Sequence, residues 1–241
     1  MLFRSLAARG VTLETPETFQ WMPSREGMGA REKLELFRML NAPAPNEPGT
    51  IDFLRHTAMN AVLASEQVRD ALRKYQGGIE YPNHRFAAQL RLVAQMIAGG
   101  LPTKVYYTHM TGFDTHANQQ GTHDTLLEQL STGVEAFYRD LEAQGNAERV
   151  VVMAFSEFGR RVAENGSAGT DHGTAAPVFL FGRAIRPGLH GRQPSLTDLV
   201  DGDLKHHVDF RAVYATLLDR WLGADPVRIL GAEFERLSFL A

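Results

Sequence analysis

The sequence contains no cysteine among its 241 residues. That absence excludes disulfide bonds, zinc–thiolate sites and a cysteine nucleophile, so a bound metal would need histidine, carboxylate or water ligands. The chain also has no run of about 18 apolar residues, and its N-terminal apolar stretch is too short for a signal peptide. As written, the sequence predicts a protein with no transmembrane segment and no export signal, which would place it in the cytoplasm.

An excess of basic residues is also missing. The chain has 25 Lys and Arg against 28 Asp and Glu, giving a formal net charge of −3, and its basic residues are scattered. Binding to nucleic-acid phosphates favours clustered Lys and Arg, so we expect no nucleic-acid partner. Neither a Walker loop nor a Gly-x-Gly-x-x-Gly motif is present, and the usual nucleotide-binding fingerprints are therefore absent.

Prolines punctuate the first 50 residues, where only one short helix, around residues 31–40, has room to form. We therefore divide the chain into an irregular peripheral segment, residues 1–50, and a main domain, residues 51–241. In the main domain, apolar residues recur at spacings of three and four, which is typical of amphipathic helices. Helices are predicted over residues 51–75, 83–98, 122–144 and 209–222.

Three short apolar stretches between these helices predict β-strands. They cover residues 104–110, 149–155 and 178–181. Strands that alternate with helices of this length favour a parallel sheet covered on both faces. The predicted fold class is therefore α/β, a three-layer α/β/α sandwich with a mostly parallel sheet.

Polar side chains with metal-binding chemistry cluster at the ends of these predicted strands. Ligands of open α/β sheets bind at the carboxyl ends of the strands. The candidate site residues are Asp114, His116, Glu157, Arg160, Asp171 and His172. Each neighbouring Asp and His taken alone also fits a hydrogen-bonded pair in a surface turn. Taken together, the carboxylates and imidazoles predict a hydrolytic metal centre, with zinc or manganese favoured and calcium as a further option.

One motif points to a different chemistry. The sequence Asn165-Gly-Ser-Ala-Gly resembles the nucleophile elbow of serine hydrolases, but Asn replaces its first Gly and no predicted strand leads into it. We therefore set the serine-hydrolase interpretation aside.

The same region carries a family resemblance. Four motifs in order, Gly-Phe-Asp-Thr-His, Ser-Glu-Phe-Gly-Arg-Arg, Gly-Thr-Asp-His-Gly and Asp-Phe-Arg, resemble those of the domain-of-unknown-function 1501 family, DUF1501, over about residues 80–241. The resemblance implies the fold of the alkaline-phosphatase and sulfatase superfamily. It also implies that an N-terminal strand with an aspartate ligand and a Ser or Thr nucleophile is missing here. Family members often carry a twin-arginine signal, so a longer form would be periplasmic or exported.

The resemblance assigns roles to individual residues. Asp114, His116 and His172 look like the three ligands of one metal ion. A second metal would take an acidic residue followed by His, whereas this sequence has Glu157 followed by Phe158. The implied function is metal-dependent hydrolysis of phosphate or sulfate esters, with Glu157 as a further ligand or base and Arg160 binding the anionic ester. The alternative is a non-catalytic protein of the same fold that binds a metal or a glycan.

Overall fold

A computed structural model of the chain describes residues 12–13, 29–42 and 49–241. Most of the predicted peripheral segment, residues 1–50, lies outside the described residues. The chain divides into two compact units. A helical unit comprises Met1–Gln76 and Gln95–Pro102, and a mixed unit comprises Gly77–Ala94 and Thr103–Ala241.

The helical unit contains two of the predicted helices. Helix α1 spans Ala30–Leu40 and helix α2 spans Gly49–Lys74, so both predictions are confirmed. The guanidinium of Arg38 on α1 donates to both carboxylate oxygens of Glu66 on α2, at 2.7 and 2.9 Å. Such a two-point ion pair fixes orientation as well as distance.

Two long helices in the mixed unit also follow the prediction. Helix α3 spans Arg85–Ala98, its last residues belonging to the helical unit, and helix α4 spans Gln119–Ala143. In the mixed unit, the phenol of Tyr81 donates to the fully buried carboxylate of Asp140 at 2.9 Å. A buried carboxylate is costly without such a partner, so this hydrogen bond stabilises the packing of α4.

Within residues 12–13, 29–42 and 49–241, the strands form three antiparallel pairs. Strand β1 (Val152–Ala154) pairs with β4 (Phe179–Phe181), β2 (Gly159–Glu164) with β3 (Thr170–Gly173), and β5 (Leu199–Val200) with β6 (Asp203–Leu204). The predicted strands over residues 149–155 and 178–181 are thus present in shortened form. Residues 156–170, for which the sequence predicts no strand, contain β2, the first strand of a hairpin.

Residues 104–110 differ from their prediction, because no strand is assigned there. Burial still alternates as in a strand: Val105 and Tyr107 are exposed while Tyr106 and Thr108 are half-buried. A strand, however, also requires a hydrogen-bonded neighbour, and residues 102–112 form no backbone-to-backbone hydrogen bond with other described residues. The strand pairs of the described residues are antiparallel, and the three-layer parallel sandwich stays a prediction.

The phenol of Tyr138 joins α4 to the β1–β4 pair. Its hydroxyl donates to the carbonyl of Phe181 at 2.8 Å and lies 3.2 Å from the carbonyl of Val150. Burial raises the pKa of Tyr138 to about 12, so the phenol stays protonated and able to donate at neutral pH.

The C-terminal region closes the core of the mixed unit. Helix α5 spans Phe210–Thr216, continues as a π-helical turn over Leu217–Trp221, and is followed by α6 (Pro226–Leu230). Asp209 is the N-cap of α5, since its carboxylate accepts a hydrogen bond from the Arg211 amide. No helix among the described residues is both long and apolar enough to cross a membrane.

Candidate metal centre

Three candidate ligands come together from two separate parts of the chain. Asp114 and His116 lie in the irregular segment that precedes α4, and His172 lies on β3. One side-chain donor atom from each of these residues lies within 4.8 Å of the others. The predicted convergence of this Asp, His and His is therefore present in the structure.

The Asp114 carboxylate is the centre of this trio. Its Oδ1 lies 2.8 Å from Nε2 of His172 and 3.0 Å from Nε2 of His116. These two hydrogen bonds, the one from His172 being the stronger influence, lower the pKa of Asp114 below its ordinary value. The carboxylate is consequently ionised at neutral pH, the state in which it can bind a cation.

The spacing and the chemistry of the three donor atoms are close to those that a bound metal ion requires. Two ligand atoms of a tetrahedral zinc ion, each about 2.0–2.1 Å from the metal, lie about 3.3 Å apart. The two oxygen-to-nitrogen distances in the trio, 2.8 and 3.0 Å, are a few tenths of an ångström shorter than this separation. An oxygen and two imidazole nitrogens suit zinc or manganese, and the residues therefore fit such a metal.

The trio is open to solvent. The side chain of Asp114 is 69% exposed, that of His116 48% and that of His172 43%. Water and solutes can thus reach the donor atoms directly.

The β2–β3 hairpin places His172 beside the other two candidate ligands, Asp114 and His116. Arg160 on β2 lies opposite His172 on β3 in the strand register. The ring of Phe158 stacks on the His172 imidazole, with centroids 3.9 Å apart and planes inclined by 11°. The Arg160 guanidinium lies 5.1 Å from the centroid of the same Phe158 ring. This stacking restrains the His172 ring at the edge of the trio.

Arg160 also forms hydrogen bonds to both segments that carry the candidate ligands. Its Nη1 donates to the carbonyl of Thr170, next to β3's Asp171, at 2.6 Å. Its Nη2 donates to the carbonyl of Phe113, next to Asp114. In this structure the terminal nitrogens of Arg160 contact the protein, and its expected contact with an anionic ester stays a prediction.

The turn of the hairpin, residues 165–169, packs against the backbone around His116. The amide of Asn118 donates to the carbonyl of Ser167 at 2.9 Å, and the amide of Gln119 donates to that of Ala168 at 3.0 Å. These carbonyls satisfy amides at the start of α4 that have no acceptor within the helix. The side chain of Asn165 donates to the carbonyl of His116 at 2.9 Å. The hairpin turn therefore positions His116 through several hydrogen bonds.

Gly169 permits this close approach, which leads to a testable prediction. A Cβ atom at residue 169 would lie 2.5 Å from the carbonyl oxygen of His116, so Gly169→Ala has to push the turn away. We expect a loss of about 1–3 kcal/mol in the free energy of unfolding, measured by urea denaturation, and weaker zinc binding, measured by calorimetry. Gly166→Ala in the same turn is the matched control, because its added Cβ meets nothing within 4 Å. Equal effects of the two variants would contradict this role of Gly169.

The two remaining acidic candidates lie in different places. The carboxylate Oδ1 of Asp171 lies 3.6 Å from Nδ1 of His116, on the ring nitrogen opposite to the one that faces Asp114. Glu157 is exposed in the loop between β1 and β2, next in the chain to Phe158. Among the described residues, the group whose donor atoms fit one ion consists of Asp114, His116 and His172. The predicted metal roles of Asp171 and Glu157 stay predictions.

Sequence reasoning missed two contributors to this centre, Asn165 and Phe158. Asn165 stood in a motif considered only as a serine-hydrolase elbow. Phe158 was noted only as the residue found where a histidine was expected. Their local sequence identifies a turn and an apolar side chain, but nothing in it shows that these residues contact His116 and His172.

A comparison with protein families places the chain in a family. A family described as "Protein of unknown function (DUF1501)" matches residues 45–237. Neither a search of curated proteins nor a search of solved structures found a match.

Proposed function

This chain belongs to the DUF1501 family, and from that premise we propose that it is a metal-dependent hydrolase of phosphate or sulfate esters, related to alkaline phosphatases and sulfatases. The observation that carries the proposal is the trio of Asp114, His116 and His172, whose donor atoms lie within 4.8 Å of one another. Zinc or manganese would be held by these three side chains.

Three protein ligands would also leave a coordination position of the metal open for water or an ester. Three protein ligands are what catalytic zinc sites use, since a structural site is closed by a fourth protein ligand. When bound in such a site, a divalent ion lowers the pKa of water to about 7 and neutralises charge on an ester oxygen. The exposure of the trio gives an ester access to it.

Glu157 is the residue proposed to accept a proton in this reaction. Among the described residues its exposed carboxylate forms no hydrogen bond or ion pair, and its chain neighbour Phe158 stacks on His172. A carboxylate so placed can act as a base toward a water molecule beside the trio or serve as a fourth ligand. Glu157 is therefore proposed as the base or as a fourth ligand, and Arg160 as the residue that aligns the two segments carrying the proposed ligands.

Metal content and turnover test this proposal directly. We expect purified protein to bind one zinc or manganese ion per chain and to hydrolyse an aryl phosphate or aryl sulfate with that metal. His172→Ala removes one of the three ligands and should lower metal affinity and turnover together. His190→Ala is the matched control, because His190 contacts the carbonyl of Arg186 and lies outside the trio. Turnover that persists after complete removal of metal would contradict the proposal.

Exposure of the trio favours a second candidate function. A metal held by side chains that are 43–69% exposed is accessible to a large partner such as a glycan, whose hydroxyl oxygens can complete the coordination of a hard cation. On this alternative the chain binds metal and glycan without hydrolysing an ester. Metal binding without turnover of either ester, together with metal-dependent retention on a glycan array, would favour it.

A further inference from the structure

We infer that Asp171 and Asn165 are positioning residues that orient the His116 imidazole, so that its Nε2 is the nitrogen presented to the metal. This inference rests on the proposed metal centre and specifies how it is built. Asp171 then acts through His116 and is not itself a ligand.

The two nitrogens of the His116 ring face two different carboxylates. Nε2 lies 3.0 Å from Oδ1 of Asp114, and Nδ1 lies 3.6 Å from Oδ1 of Asp171. A metal-binding histidine commonly donates its other ring N–H to a carboxylate or carbonyl, which sets the tautomer and the direction of the ring. Asp171 lies on the side of the ring where that acceptor is needed, away from Asp114, at a distance slightly longer than a hydrogen bond.

The side chain of Asn165 contacts both the backbone of His116 and the carboxylate of Asp171. Its side-chain nitrogen donates to the backbone carbonyl of His116 at 2.9 Å and to Oδ1 of Asp171 at 3.3 Å. Its side-chain oxygen accepts from the amides of Ser167 and Gly169, at 2.9 and 3.2 Å. One amide side chain thus links the hairpin turn, the His116 backbone and the Asp171 carboxylate.

The position of Asp171 on β3 also directs its side chain away from the trio. Asp171 and His172 are neighbours on β3, and adjacent residues of a strand point to opposite faces. His172 contacts Asp114, whereas Asp171 contacts Asn165 and the far side of the His116 ring. On this inference His172 binds the metal, whereas its neighbour Asp171 orients the His116 ring.

Two substitutions at Asp171 distinguish orientation from direct binding. Asparagine keeps an oxygen that can accept the Nδ1–H of His116, but a neutral amide is a poor ligand for zinc. We therefore expect Asp171→Ala to lower zinc affinity by about 10–100-fold and Asp171→Asn to restore most of it. Zinc affinity is measured by competition with a chromophoric chelator, using zinc alone as the probe.

A spectroscopic readout accompanies these affinities. Long-range proton–nitrogen NMR spectra of the zinc-loaded wild type should show His116 with its proton on Nδ1, and Asp171→Ala should lose or shift that signal. Asn165→Ala should act in the same direction and add little to Asp171→Ala in the double variant, because both act on the same ring. Ser167→Ala is the control, since the turn uses only the backbone of Ser167 in the hydrogen bonds described above.

The outcomes separate this inference from the proposed function. If Asp171→Asn loses as much zinc affinity as Asp171→Ala while the His116 signal is unchanged, Asp171 is a direct ligand and the inference is wrong. If neither substitution changes zinc affinity, the inference is also wrong. Zinc binding without ester hydrolysis would overturn the enzymatic proposal and leave the inference intact, whereas a wild type that binds no zinc would overturn both.

Discussion

Asp114→Ala should reduce zinc affinity by at least about 100-fold. The expected loss exceeds that of an orienting residue, which typically costs about 10–100-fold, because Asp114 supplies a donor atom itself. Its Oδ1 is also the only atom of the trio that lies within hydrogen-bond distance of both other members among the described residues. Removal of this carboxylate leaves two imidazoles and no carboxylate in the group.

The measurement is zinc affinity by chelator competition, with turnover of an aryl phosphate as a second readout. Asp124→Ala on α4 is a suitable control, because it removes the same charge from an exposed site ten residues along the chain. Asp114→Asn should weaken binding less than Asp114→Ala, since its amide oxygen remains. An Asp114→Ala protein that binds zinc as tightly as the Asp124→Ala control would eliminate the proposed centre.

Phe239→Ala should lower the free energy of unfolding by about 3–5 kcal/mol. Phe239 is 1% exposed and packs in a cluster with Val213 and Leu240. Removal of a fully buried aromatic ring loses its transfer free energy and leaves a cavity that the surroundings fill only in part. Around this cluster lie half-buried residues from β1, β4 and the C-terminal helices, including Met153, Leu180 and Trp221.

Urea denaturation should show a lower midpoint with an unchanged slope, since the variant exposes a similar surface on unfolding. Phe210→Ala is the matched control, because Phe210 is 58% exposed and should cost about 1 kcal/mol or less. Zinc affinity measured below the unfolding transition should be similar in both variants, because Phe239 is not among the residues that contact the trio. Equal midpoints for the two variants would contradict the assignment of Phe239 to the core.

The helices could be predicted because their signals are local. The apolar spacing in α2 and α3, and the capping residue Asp209 before α5, are properties of consecutive residues. Among the helix starts, that of α4 differs most from its prediction. Its first residue is Gln119, three residues before the predicted start at residue 122, because carbonyls of the hairpin turn satisfy the amides of Asn118 and Gln119. Those acceptors are distant in the chain and cannot be recognised from the helix sequence.

Strands were harder to predict for the same reason. Residues 104–110 have the alternation of a strand but no hydrogen-bonded neighbour among the described residues. Residues 159–164 lack a long apolar run, yet they form β2 by pairing with β3. A strand is completed by its partner, so its local sequence is a weaker guide than that of a helix.

The sequence alone determined the chemistry available to this protein: with no cysteine, and with Asp, His and His near predicted strand ends, a metal could bind only through oxygen and nitrogen. Tertiary structure decided which candidates meet. It brought Asp114, His116 and His172 within reach of one ion, placed Asp171 on the far side of the His116 ring, and engaged Arg160 with backbone carbonyls. The physical reason is that donor chemistry belongs to each residue, whereas a coordination geometry depends on distances between residues up to 58 positions apart in the chain.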